Sequence, residues 1–252
     1  DDMFVKSDEA KELVDNGTAL VVVDVNRPSI TEEAQLLKMV KTIVVIDHHR
    51  QGSENISKAV LSYVEPYASS ACEMVAEVLQ YFQEGFKLEP READCIYAGI
   101  LIDTNNFMTK TGVRTFEAAA YLRRNGADVT RIRKMFRTAF VEYQAKAQAV
   151  TSAEIFMDYY VFAVSESDGL DSPTIVAAQT ANDLLDIDHT KASFVFTEFN
   201  GRIYISARSI DELNVQVVME QIGGGGHMTI AGAQLDETTL DNAIEKLKDA
   251  IE

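Results

Sequence analysis

Cysteine and basic charge are scarce in this chain, and each shortage removes a class of function. Only Cys72 and Cys95 occur in 252 residues. Both sit in stretches with helical patterning and without ligand spacing. A disulfide framework and a thiolate zinc site therefore drop out, and both read as core thiols in a reducing compartment. Lysine and arginine number 23 against 40 aspartates and glutamates, a net charge of −17. A duplex-binding face needs basic charge on a scale that this composition does not supply. A small anionic ligand fits only where local arginines or metal ions offset the field. No apolar run approaches the length of a membrane span, and no signal peptide opens the chain. Apolar side chain is plentiful: 46% hydrophobic residues argues against disorder and supports one large domain or two small ones.

The stretch Val44-Val45-Ile46-Asp47-His48-His49-Arg50 organises the rest. Its β-branched run reads as a buried strand. An acid, two imidazoles and a guanidinium then follow where a parallel strand delivers groups to a site, just past its carboxyl end. Ala19 to Val23 is a second continuously apolar strand, and it stops at Asp24. Between the two, Ser29 and Glu32 form a capping-box pattern for a helix running to about Val40. Strand, helix and strand in so short a span make a βαβ unit with parallel strands. Parallel order puts Asp24 and Asp47-His48-His49 at the same edge of the sheet.

Elsewhere, Ser7 to Asn16 reads as a short helix and Ala59 to Val64 as an edge strand. Ser70 and Glu73 open a helix to Phe82, and another begins at Pro90 and ends in Gly99-Ile100-Leu101-Ile102-Asp103. Thr115 to Arg124 is helical, and Thr130 to Thr151 reads as one long helix, its later part either a connector between domains or one more packed helix. From Glu154 the pattern changes. Ile155 to Val164 is an aromatic-rich strand, and a helix covers Ile175 to Leu185. Ser193 to Phe199 and Arg202 to Arg208 form a hairpin about Asn200-Gly201. A helix from Asn214 to Ile222, a glycine run, a short strand and a terminal helix complete the chain. The expected fold class is α/β: a parallel-sheet domain with flanking helices over 1–140, a helical connector over 141–153, and a smaller mixed α/β domain over 154–252.

Three groups could carry chemistry. Asp24, His48 and Asp103 each follow an apolar run, so a packed core brings them to one rim. Two carboxylates and an imidazole suit a divalent ion of intermediate hardness such as manganese, with iron, magnesium or cobalt as alternatives. Such an ion activates water and polarises a phosphoryl oxygen, and Asp47 would fix a histidine tautomer behind the ligands. Second, Gly223, Gly224, Gly225 and Gly226 before His227 can turn backbone N–H groups toward a phosphate. Third, Arg208, just after the strand Ile203-Tyr204-Ile205-Ser206, is a candidate bidentate phosphate clamp. Arg50, Lys110 and Arg114 are weaker candidates of the same kind.

These residues together resemble the DHH–DHHA1 phosphoesterase superfamily. Asp47-His48-His49 matches the motif that names it. Asp24 after a valine run and Gly99 to Thr104 match two further motifs, and Gly223 to His227 with Ala231-Gly232 matches the hallmark of the DHHA1 domain. Within the superfamily, Asp24 to Ser29 and Tyr63 to Ala71 look most like cyclic-di-AMP phosphodiesterases of the GdpP type. The resemblance implies a two-manganese site that opens cyclic-di-AMP to linear pApA. It implies that Asp24 bridges both ions, that His48 and Asp103 bind the second, and that His49 touches phosphate. It implies that Arg208 and Gly223 to His227 hold the nucleotide. The alternatives within reach of the same motifs are a nano-RNase or pAp phosphatase, or nucleotide binding without turnover. The family's earlier His-x-x-x-Asp-x-Asp motif has no counterpart in these residues. The expectation is therefore at most one well-liganded ion, impaired turnover, and an apolar strand edge that favours a homodimer. The resemblance further implies a membrane-anchored parent with this part facing the cytoplasm.

Overall fold

The computed structural model describes residues 3–210 and 213–251. The chain divides into two compact units, Asp1–Arg137 and Thr138–Glu252.

The first unit runs α1 (Ser7–Leu13), β1 (Ala19–Val23), α2 (Leu36–Met39), β2 (Thr42–Asp47), β3 (Leu61–Val64), α3 (Ala71–Tyr81), α4 (Pro90–Asp103), α5 (Val113–Arg124) and α6 (Val129–Met135). The strands form a parallel sheet in the order β1-β2-β3, with Val23 opposite Ile46. Strand alternation splits β2 between two cores. Ile43 and Val45 pack with Val22, Leu37 and Ile56 on one face, and Ile46 packs with Met74 of α3 on the other. Val21 and Val23 point to the same side as Ile46 but are exposed, so the apolar edge expected from the sequence falls on β1 and not on the central strand β2.

Helices α3 to α6 share an alanine-rich core that includes Ala76, Ala93, Ala98 and Ala118 around Ile100, Leu122 and Ile132. Small side chains let the axes approach closely. At the tightest point a Cβ on Gly99 of α4 would collide with Cys72 Sγ of α3. Asp94 ties α4 to α6 by accepting from Asp128 N at 2.7 Å and from Arg131 Nε at 2.6 Å.

Three expectations need correction here. The capping box Ser29/Glu32 does not form: Ser29 gives its N–H and hydroxyl to Glu54, at 3.0 and 2.7 Å, and only Leu36–Met39 is α-helical. The long helix over 130–151 is two, because the chain leaves helical geometry after Met135 and restarts at Phe140, where Glu142 accepts from Ala139 N. Cys95 is exposed, whereas Cys72 is half-buried.

The second unit runs α7 (Phe140–Thr151), β4 (Glu154–Phe156), β5 (Tyr160–Val164), α8 (Pro173–Leu185), β6 (Ala192–Phe199), β7 (Arg202–Ser209), α9 (Val215–Gln221), β8 (Gly225–Gly226), β9 (Ile230–Asp236) and α10 (Leu240–Ile251). Its six-stranded sheet has the order β4-β5-β6-β7-β9-β8, and only β5 and β6 pair in parallel. One face buries Phe194, Phe196, Ile203 and Ile205 against α9 and α10, and the other buries Val161, Ala163 and Val195 against α7 and α8. The strand expected over 155–164 is a hairpin. Met157 and Asp158 both adopt positive φ, 51° and 67°, a turn that Asn-Gly announces in sequence and Met-Asp does not. No helix among the described residues is long and apolar enough to cross a membrane.

The α3–α4 contact generates a test. Gly99→Ala gains helix propensity, worth about 1 kcal/mol, but overpacks against Cys72, which costs about 1–3 kcal/mol. Urea titration should show Gly99→Ala less stable than wild type, and adding Cys72→Ala should recover the loss. Additive effects of the two changes would refute the contact.

Candidate metal centre

Asp24 is the first residue past β1. Its N–H donates to Ile46 O at 3.0 Å, so the parallel ladder continues one step and holds Asp24 level with the end of β2. There the chain turns with Asp24 at φ 67°, a left-handed conformation that costs a non-glycine residue about 1–2 kcal/mol. His48 Nε2 lies 3.4 Å from Asp24 Oδ1 and 3.9 Å from Asp103 Oδ2. Asp103 arrives from the last residue of α4, which the close α3–α4 packing holds in place. His49 Nδ1 is 3.9 Å from Asp24 Oδ1. Ligand atoms of Asp24, His48 and His49 all fall within 4.8 Å of one another. So Asp24, His48 and Asp103 share one rim, and His49 joins them.

The tautomers suit a cation. His48 Nδ1 faces Ala68 O at 3.4 Å, so in the neutral ring that nitrogen carries the proton and Nε2 is bare toward the carboxylates. The hydrogen bond to Asp24 raises the His48 pKa above the ordinary 6.5, and the same bond lowers Asp24 below 3.8. Burial pushes Asp103 up, with the His48 charge opposing it. One imidazole nitrogen and two carboxylates are donor types that take a divalent ion once the ring is deprotonated. The Cys72 thiol is pushed up to about 11, mainly by burial, so no thiolate competes as a ligand.

Asp47 is fully buried and stands behind the rim. Its Oδ1 accepts from His49 Nδ1 at 2.7 Å and from His49 N at 3.2 Å, and its Oδ2 accepts from Asn26 Nδ2 at 2.6 Å. Asn26 Nδ2 also donates to His49 O at 3.1 Å, which fixes the orientation of the amide. Asn26 is the site residue that the sequence reading missed. The available signal was its place two residues after Asp24 in a loop that had to return to the sheet. Its Oδ1 is buried without a hydrogen-bond partner.

The remaining candidates lie in both units. Arg114, in the first, is committed to Glu77 through two contacts of 2.7 Å, which removes it as an anion clamp. Arg50 is exposed, and Lys110 follows a run of left-handed residues after Asp103. In the second unit, Arg208 lies inside β7 and not beyond its end; Nε donates to Asn182 Oδ1 at 2.9 Å, and burial lowers its pKa. The glycine run is not an open loop. Gly223 and Gly224 donate to Glu220 O and Met219 O, and His227 N donates to Ile230 O at 2.7 Å. Antiparallel alternation from that turn leaves the Gly226 N–H on the outer edge of β8. Gly224 and Gly226 are required by packing, since a Cβ on either would strike β9. Gly223 has φ 90°, and Gly225 meets neither constraint.

Comparison with known proteins agrees with this architecture. The model of the DHH family, N-terminal domain, matches residues 3–100, and that of the DHHA1 domain matches residues 158–252. The chain belongs to the DHH–DHHA1 superfamily. It is 43% identical to the cyclic-di-AMP phosphodiesterase GdpP of Geobacillus thermodenitrificans, over 98% of this chain and 38% of that protein. It is 38% identical to the cyclic-di-AMP phosphodiesterase PdeA of Listeria monocytogenes, over 96% of this chain and 37% of that protein. The chain thus spans less than two fifths of these curated relatives. Among solved structures, an exopolyphosphatase-related protein from Bacteroides fragilis superposes with a TM-score of 0.86 at 20% identity, over 97% of this chain and 74% of that one. Exonuclease RecJ bound to manganese gives 0.53 at 14% identity, over 98% and 78%. Identities this low show the fold alone.

Two tests follow from the geometry. In metal-free protein the Asp24–His48 pair stabilises fully between the ordinary values of 3.8 and 6.5. Its contribution fades as pH rises through the raised His48 value, and as pH falls through the lowered Asp24 value. With chelator present, melting temperature should therefore drop between about pH 6 and about pH 8.5 more in wild type than in Asp24→Asn. Equal drops would exclude the pair. Asn26→Ala strips a charge-assisted bond from buried Asp47 and should cost about 1.5–3 kcal/mol in chemical denaturation. A loss below half that range would mean water replaces the amide.

Proposed function

We propose that this chain is the catalytic part of a manganese-dependent phosphodiesterase that opens cyclic-di-AMP to linear pApA. The observation that carries the reading is the meeting of Asp24, His48, His49 and Asp103 at one sheet edge. In this reading Asp24, His48 and Asp103 would hold a divalent ion, which would supply an activated water and offset phosphoryl charge. Acid and imidazole donors suit manganese among the divalent ions of intermediate hardness. His49 keeps Nε2 free because Asp47 occupies its Nδ1–H, so it can donate to or accept from a phosphate oxygen. Asp47 does not meet substrate. It holds that tautomer and the orientation of the ring.

Arg208, with His227 and the outward N–H of Gly226, supplies the nucleotide contacts on the second unit. The substrate assignment rests on the two cyclic-di-AMP phosphodiesterase relatives.

Metal and nucleotide binding separate the parts. Manganese per chain, measured after dialysis, should fall in His48→Ala and stay at the wild-type level in Arg208→Ala. Arg208→Ala should weaken cyclic-di-AMP binding by roughly ten- to a hundredfold, the worth of a charge-assisted contact. With saturating manganese, cyclic-di-AMP should be cleaved in preference to pApA and pAp. Preference for pAp, or metal retained by His48→Ala, overturns the reading.

A further inference from the structure

The α8-facing side of the second unit's sheet carries a cleft of about 430 Å³, within the range that takes a small ligand. Thr174, Tyr204, Ser206, Gly224, Gly232 and Gln234 line it. In a chain of net charge −17, none of its lining residues is charged. A phosphate has no reason to enter it. A neutral group that both stacks and hydrogen-bonds does.

The strand registers lay out its walls. Thr197, Tyr204 and Gln234 are directly opposite one another across β6, β7 and β9, so their side chains form one row on one face. Ser206, Gly232 and Gly225 form the next row across β7, β9 and β8, one pleat repeat or about 7 Å along. The first row offers an aromatic ring and a primary amide, and neither the Tyr204 hydroxyl nor the Gln234 amide has a hydrogen-bond partner among the described residues. The Thr197 hydroxyl beside them is fully buried and also unpartnered. The second row is a floor almost bare of side chain. Gly232 is forced by packing, because a Cβ there would meet Ile205 O at 2.8 Å. Gly225 is not: a Cβ would meet nothing within 4 Å, and its φ is not left-handed.

We infer that this cleft is the base pocket, in which Tyr204 stacks on the adenine of the nucleotide and Gln234 reads its hydrogen-bonding edge. Aromatic stacking holds any base, and an amide side chain pairs its donor and acceptor with the adenine pattern. Arg208 is two residues beyond Ser206 on the same face of β7, which places the cation beside the neutral cleft and not within it. The inference rests on the nucleotide reading proposed above and adds the residues that select the base.

Calorimetric titration of the intact protein tests it with three probes: AMP, GMP and ribose 5-phosphate. Wild type should bind AMP at least about tenfold more tightly than GMP or ribose 5-phosphate. Gln234→Met should weaken AMP about tenfold or more, leave ribose 5-phosphate within about twofold, and leave melting temperature unchanged. Gln234 is exposed, so the variant should fold. If the variant binds AMP like wild type, or wild type binds AMP no better than ribose 5-phosphate, the base pocket is wrong while the phosphodiesterase reading stands. If wild type binds neither AMP nor cyclic-di-AMP, the phosphodiesterase reading fails and the pocket with it.

Discussion

Parallel pairing of β1 with β2 sets the position of Asp24, His48 and His49 at the candidate metal centre, because the register puts Asp24 beside the end of β2. A ladder bond from Asp24 N to Ile46 O continues that register past the last strand residue. Parallel strands deliver their carboxyl ends to one edge, so an acid that ends one strand and the Asp-His-His that ends its neighbour must meet. Hydrophobic burial of Val22, Ile43 and Val45 thereby fixes the spacing of charged groups that would otherwise repel one another. The left-handed turn at Asp24 is a local cost that the packed sheet sustains.

Support behind the rim is built from full satisfaction of one buried carboxylate. Asp47 accepts three hydrogen bonds, two from His49 and one from Asn26. Each donor is held by something else, so the imidazole of His49 is aimed before any ligand arrives. Pre-aimed groups of this kind spare the reorganisation that would otherwise oppose charge development on phosphate. Helix α4 contributes differently. Its alanine-rich contact with α3 brings Asp103 within 3.9 Å of His48, and the same closeness buries the Cys72 thiol and keeps it protonated.

In the second unit the glycine segment serves two physical ends. Gly224 and Gly226 permit a backbone approach that any side chain would block, and most of the segment's N–H groups are spent inside the fold. The chemistry left over is an edge N–H, an exposed histidine and a bare floor next to Tyr204 and Gln234. On the proposed reading, the cation of Arg208 and the neutral cleft would divide a nucleotide between them by polarity.

The sequence alone determined the groups whose signals are local and periodic. Continuous β-branched runs announced β1 and β2, Ser70 and Glu73 announced α3, and Asn200-Gly201 announced the β6–β7 hairpin, whose turn residues have φ 52° and 72°. The convergence of Asp24 and His48 followed from strand order, because parallel topology is implied by a short crossover, whereas Asp103 is brought in by helix packing. Tertiary structure decided what depends on a partner distant in sequence. Ser29 chose Glu54 over a helix cap, Arg114 chose Glu77 over an anion, and Asn26 found Asp47 across the sheet edge. The role of each glycine in the run was likewise illegible beforehand, since it depends on how near β9 passes, and the base pocket exists only because the register sets Tyr204 opposite Gln234. Local patterns record what a residue prefers; which of two available partners it takes is settled by burial, and burial belongs to the assembled fold.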